Sequence, residues 1–339
     1  MRLGMIVTPM SDCNLQLAAQ VGVTDIVTIY PGLELAALLE TKRRVESFGM
    51  RLTHVERLLP HQRLVHNLPG REQQLEDIKT LIRNMAEASL EVLCYNWMPD
   101  EDWQRTSFEA LERGGAKVTE FDLQYIERVV DEAAPPVEPP TPAEKLWDNL
   151  EWFLERIVPV AEDAGIKLAL HPDDPPLPEL RGQQRIIFSH DALERVVKLV
   201  PSRVNGLCYC QGSLFPAGED PVEGIRRLAP HIHYAHFRNV VGHAECFRET
   251  FHDNGAIDMP AVMRAYHEAG FSGVIRPDHA PSMAGESNAY PGYETLGRIY
   301  AAGYMKGLMQ AAAGYRSVVQ TGGTKLASFC GSARDSAGS

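Results

Sequence analysis

Positive charge, cysteine, glycine-rich turns and long apolar runs are all scarce in this chain, and each shortage removes a class of function. The 33 Lys and Arg face 45 Asp and Glu, a formal net charge of −12. No basic stripe is present that could displace counter-ions from phosphate, so no nucleic-acid partner is expected. The 6 cysteines, at positions 13, 94, 208, 210, 246 and 330, are too few and too scattered among 339 residues for a disulfide scaffold, and they read as thiols. No apolar run approaches the roughly 18 to 20 residues of a membrane-spanning helix. The opening MRLGMIVTPM suits a first strand better than the apolar core of a signal peptide. A cytoplasmic protein without a membrane partner is therefore expected. A dinucleotide-binding sheet would want a Gly-rich turn after an early strand, and none is found.

What the chain does have is alternation. Segments 3–7, 25–30, 51–57, 91–97, 168–170, 204–210, 232–239 and 273–279 read as short apolar strands. Between and after them, 14–21, 33–48, 70–90, 142–165, 189–200, 220–228, 259–269 and 293–313 carry helical spacing, with Ser189 and Asp258 placed as N-caps. About eight repeats of strand and helix predict an α/β fold, a closed (β/α)8 TIM barrel of the xylose-isomerase-like kind, as one domain over 1–313. Two stretches, about 98–141 and 240–257, are too long for ordinary connections and are expected to be active-site insertions. The tail 314–339, rich in Gly, Ser, Ala and Thr, is expected to be disordered.

Four strands end on residue types that bind metals. The run IKLALHPDDPPL stops in His171 followed by Pro172, Asp173, Asp174 and Pro175; VNGLCYC ends at Cys210, IHYAHFRN presents His236, and GVIRPDH presents Asp278 and His279. In a barrel the carboxyl ends of all strands meet on one face, so these residues converge. Two imidazoles, a thiolate and a carboxylate suit a divalent transition metal better than Mg²⁺. Cys208 shares a strand face with Cys210, and an inert buried thiol is the plain reading of either. Arg105, Arg238 and Arg276 are placed to hold a carboxylate, Asp173 to position substrate, and His252 to join it; each has surface solvation or loop capping as its plain alternative. His279 and Tyr293 can exchange protons.

These motifs, HPDDPP, NGLCYCQGS, HFRNV, FHDNGAIDM, RPDH and PGY in this order, with CYNWMPDEDWQRT before them, resemble the mannonate dehydratase family over about 75–313. The first sixty or so residues carry no such likeness, RGGAKV stands where the family has a DGS turn, and RPDH is followed by alanine where glycine is usual. The resemblance implies a metal-dependent lyase that removes water from D-mannonate to give 2-keto-3-deoxy-D-gluconate in hexuronate breakdown. It implies a metal, Mn²⁺ or Fe²⁺, on His171, Cys210, His236 and Asp278, and an acid/base pair in His279 and Tyr293. A small sugar acid is the expected partner, bound by Asn96, Arg105, Asp173, Arg238, His252 and Arg276, and a homo-oligomer is compatible with the chain. The alternatives are dehydration of another aldonate, a metal-dependent sugar isomerase or epimerase on the same barrel, and a sugar-acid binding protein without turnover.

Overall fold

The computed structural model describes residues 1–99, 103–128 and 137–314. Eight strands close into a parallel barrel: β1 (Arg2–Ile6), β2 (Asp25–Thr28), β3 (Arg51–Val55), β4 (Val92–Tyr95), β5 (Lys167–Leu170), β6 (Asn205–Cys210), β7 (Ile232–Phe237) and β8 (Val274–Pro277). β1 closes the ring by pairing with β8, Arg2 opposite Val274. The strands are buried almost throughout because the barrel covers one face and the helices the other. That is why they read as continuous apolar runs rather than alternating ones.

The helices start where their caps stand. Ser189 accepts from Ala192 N–H, Asp220 from Val222 and Glu223 N–H, and Asp258 from Ala261 N–H, satisfying donors that the first turn leaves orphaned. The long helix Ala143–Ala164 stops at Gly165, which takes φ 69°. Its buried stripe, from Leu146 to Ala161, packs on the outside of the barrel.

Register sets the layers inside. Cys210 pairs with His236 and His236 with Arg276, so three charged or ligating side chains share one level near the mouth. Below them lies an apolar floor that includes Cys94, Ala169, Cys208, Tyr234 and Val274.

The two insertions are not bare loops. Within the described residues, strands Ser107–Leu111 and Lys117–Asp122 join Val240–His243 and Cys246–Glu249 in a four-stranded antiparallel sheet capping the mouth. Phe121 and Phe247 stack across it at 5.7 Å. With only one face buried and short arms, this sheet gives little apolar signal in sequence. Part of the first insertion and the tail 315–339, expected to be disordered, lie outside the described residues.

Gly212, just after β6, lets Arg238 pass beneath the turn: a Cβ there would lie within 3 Å of the Arg238 side chain. We expect Gly212→Ala to cost about 1–3 kcal/mol of stability, seen as a lower thermal midpoint. An unchanged midpoint would mean that Arg238 can move aside freely.

Candidate active site

The mouth holds a cavity of ≈ 480 Å³, counting its opening to solvent, whose walls include His171, His236, Asp278, His279 and Tyr293. Each stands at or just past the end of a barrel strand or, for Tyr293, in the turn before the helix Thr295–Ala312.

The two histidines face one another with His171 Nε2 3.1 Å from His236 Nδ1. The far side of the His171 ring fixes its proton. His171 Nδ1 lies 2.6 Å from the Pro172 carbonyl, which can only accept, so Nδ1 carries the hydrogen. His236 Nε2 lies 3.3 Å from Glu56 Oε1. Burial alone would raise the Glu56 carboxyl, but Arg276 and His236 outweigh it and hold it well below the usual carboxylate range, so it too accepts. His236 Nε2 makes no hydrogen bond of good geometry; with its hydrogen on Nε2, toward Glu56, both facing nitrogens are lone pairs, and with it on Nδ1 the ring donates to His171 Nε2. In the first case the two lone pairs repel at that distance unless a cation lies between them.

The remaining donors gather at the same point. Cys210 Sγ lies with the two ring nitrogens in a group whose ligand atoms are all within 4.8 Å of one another. Asp278 Oδ2 is 3.6 Å from that sulfur and Oδ1 is 3.8 Å from His236 Nδ1. Two nitrogens, a sulfur and an oxygen fit a divalent transition metal, and with the His236 hydrogen on Nε2 the facing lone pairs are what such an ion would relieve.

The acid/base candidates form a chain. Glu249, on the cap strand Cys246–Glu249, approaches His279 Nδ1 at 2.5 Å, and His279 Nε2 lies 3.1 Å from the Tyr293 hydroxyl. Burial alone would raise Glu249; His279, Arg105 and Arg238 bring it down to about 2. An ionised Glu249 takes the Nδ1 hydrogen and leaves Nε2 as a lone pair turned to Tyr293. Burial pushes the Tyr293 phenol up, so it keeps its proton. Arg298, buried without a carboxylate partner and lowered to about 9 by desolvation, donates to the carbonyls of Ile6 and Tyr293 and pins that tyrosine to the end of β1. Trp103 covers His279 with ring centroids 4.3 Å apart.

Other expected site residues lie elsewhere or are already engaged. Asn96 lines the cavity, its Oδ1 accepting from Met98 N–H. Asp173 does not line it: its Oδ2 accepts from Ile187 N–H, and Asp174 is the carboxylate at the wall. Arg105 is spent on Asp174 at 2.8 and 3.0 Å and on Glu249 at 2.6 Å, outside the cavity wall. Arg238 and Arg276 do reach the wall, but Arg238 is held by Asp174 and Glu249, and Arg276 by Glu56 and Asp278. Buried guanidinium needs internal counter-ions, and each of the three arginines has them here. His252 is buried beside the backbone of Phe237, away from the cavity wall, and burial lowers it to about 4.

Sequence reasoning missed Glu56, Arg57, Trp103 and Glu249. Glu56 and Arg57 follow β3 directly, and charges at the carboxyl end of an apolar strand were the available signal. Arg57 takes φ 65°, rare for a side-chain-bearing residue, and sits 4.2 Å from the Tyr293 ring centroid. Glu249 gave no signal, because its importance depends on the cap folding back over His279.

Comparison with known proteins identifies the family. The family model D-mannonate dehydratase (UxuA) matches residues 9–135 and 140–317. It thereby takes in most of the amino-terminal segment in which no likeness had been visible. A mannonate dehydratase of Thermotoga petrophila is 36% identical over 313 residues, 82% of this chain and 86% of the relative. Mannonate dehydratase 1 of Halalkalibacterium halodurans is 35% identical over 81% of this chain and 84% of its own length. The crystal structure of mannonate dehydratase from Streptococcus suis superposes with a TM-score of 0.83 at 32% identity, covering 92% of this chain and 93% of that one. An L-ribulose 3-epimerase shares the barrel alone, at TM-score 0.60 and 14% identity. The chain belongs to the mannonate dehydratase family.

Proposed function

We propose that this protein is a hydro-lyase that removes water from D-mannonate to give 2-keto-3-deoxy-D-gluconate, with His279 as base and Tyr293 as acid. The observation that carries this reading is the Glu249–His279–Tyr293 chain beside two imidazole nitrogens 3.1 Å apart. Dehydration needs one group to take a proton and another to give one, and an isomerase would not need the phenol to protonate a departing hydroxyl.

His171, Cys210, His236 and Asp278 are the residues proposed to hold a divalent metal, Mn²⁺ or Fe²⁺. When bound, such an ion supplies positive charge against the negative charge that develops next to the substrate carboxylate as the C2 proton leaves. His279 Nε2 accepts the C2 proton, and Glu249 stabilises the imidazolium that forms. Tyr293 gives its proton to the C3 hydroxyl, which departs as water. The 3.1 Å contact between the two then carries the proton from imidazolium back to phenolate and resets the pair. Trp103 and the cap sheet limit water at the reacting carbons.

Asn96, which lines the cavity, is proposed to hold a substrate hydroxyl. Arg238, Arg276 and Arg105 are proposed to act through the carboxylates they hold rather than on substrate. The substrate is a small sugar acid. Among the described residues no helix is long and apolar enough to cross a membrane, and the five described cysteines are free thiols. We place the protein in the cytoplasm, as a homo-oligomer compatible with the sequence.

Manganese-loaded protein is expected to form 2-keto-3-deoxy-gluconate from D-mannonate, and His279→Asn to lose on the order of 10²-fold or more in kcat. No product from the loaded wild type would sink the mannonate assignment. In deuterated water, Tyr293→Phe is expected to keep exchanging the C2 hydrogen while losing dehydration. Loss of exchange in that variant would instead make the tyrosine the base.

Glu249→Gln is expected to lower kcat by about 10²-fold with a small change in KM, because a neutral amide no longer fixes the His279 proton. The same variant has a signature in stability. Glu249 is lowered in the fold from an ordinary 4.5 to about 2, so its contribution is present above the ordinary value and is lost as pH falls through about 2. Acid unfolding between those values is therefore expected to be shallower in Glu249→Gln. Equal slopes would show that Glu249 is not ionised in the native protein.

A further inference from the structure

Beneath the candidate metal group lies a second one. Cys94 on β4, Cys208 on β6 and His236 on β7 bring one ligand atom each to within 4.8 Å of one another, and all three are buried. Cys94 pairs in register with Ala169 on β5, the strand between β4 and β6, so a small side chain separates the thiols instead of a bulky one. Cys94 also lines the cavity, which gives this layer an opening to the mouth. Nothing in the proposed dehydration uses either thiol.

We propose that Cys94, Cys208 and His236 form a second cation site, selective for a thiophilic d¹⁰ ion such as Zn²⁺. Tetrahedral zinc, with bonds of ~2.3 Å to sulfur and ~2.0 Å to nitrogen, places its ligand atoms about 3.5–3.8 Å apart. From a separation of at most 4.8 Å the three atoms need to draw in by no more than about 1.0–1.3 Å, and water from the cavity can complete the coordination. Two thiolates and one imidazole with no carboxylate make a softer set than the His171, Cys210, His236 and Asp278 group above. On binding, each thiol gives up its proton to cavity water and gains a bond to the ion, and His236 offers either its Nδ1 lone pair, for which the two ions then compete, or Nε2 once the hydrogen there has passed to Glu56.

His236 belongs to both groups. Two dications claiming one imidazole repel each other at short range, so filling the lower site is expected to weaken the upper one. That consequence rests on the metal reading proposed above; the lower site itself does not.

Cd²⁺ is the probe, since its thiolate bonds absorb in the ultraviolet in proportion to the sulfurs bound. The starting protein is the full chain with Cys13, Cys246 and Cys330 changed to serine, and with Cys210→Ser added to remove the upper thiol. It is expected to bind one Cd²⁺ with the absorbance of two thiolates. Adding Cys94→Ala or, separately, Cys208→Ala is expected to cut that band to about half or less, with circular dichroism confirming the fold of each variant. Loss of the whole band on introducing Cys210→Ser alone would overturn the proposal, because every bound sulfur would then belong to the upper group. So would a band that neither alanine variant changes. Bound Mn²⁺, measured by electron paramagnetic resonance with and without Cys210→Ser, reports on the upper group separately.

Discussion

Everything at the mouth depends on the pairing of buried charges. Four carboxylates, Glu56, Asp174, Glu249 and Asp278, interlock with three guanidiniums, Arg105, Arg238 and Arg276, and all seven side chains are buried. Ionised groups out of water are costly unless paired, so each arginine is clasped by at least two acids. Among these seven the negative charges exceed the positive by one, and Arg57 lines the same cavity. His171, Cys210 and His236 stand beside them, where the proposed divalent cation would sit.

The same network ties the cap to the barrel. Glu249 comes from the cap sheet, yet it meets Arg105, Arg238 and His279 at once. Folding of the cap thus orients the proposed base, and a cap that opens would release the hydrogen of His279 Nδ1 from its acceptor. Arg298 plays the corresponding part on the other side, joining the end of β1 to the turn that bears Tyr293. The reacting pair is held between two elements distant in sequence, and both attachments end in buried charge.

The barrel could be read from sequence because burial on both faces writes strands as apolar runs, and because caps such as Ser189 and Asp258 mark helix starts. His171, Cys210, His236, Asp278 and His279 stood out for one reason: each interrupts such a run at its carboxyl end. The same reading placed the arginines at the mouth without their partners, and Arg238 and Arg276 do line the cavity. Arg105, Arg238 and Arg276 looked like hands for a substrate anion, but a sequence does not show that acids from four separate segments already occupy them. Asp173 and Asp174 are adjacent, and only the fold decides that the first serves the Ile187 backbone while the second faces the cavity. Glu249 was invisible, since its partner lies 30 residues away across a cap whose short strands carry little pattern.

Likeness to an L-ribulose 3-epimerase, at 14% identity and a TM-score of 0.60, is one of barrel fold. The most direct test of the account is anomalous diffraction from crystals soaked with Mn²⁺. One peak is expected between His171 Nε2 and His236 Nδ1, within bonding distance of Cys210 and Asp278. A peak elsewhere, or none with those two nitrogens still 3.1 Å apart and a proton shared between them, would contradict it.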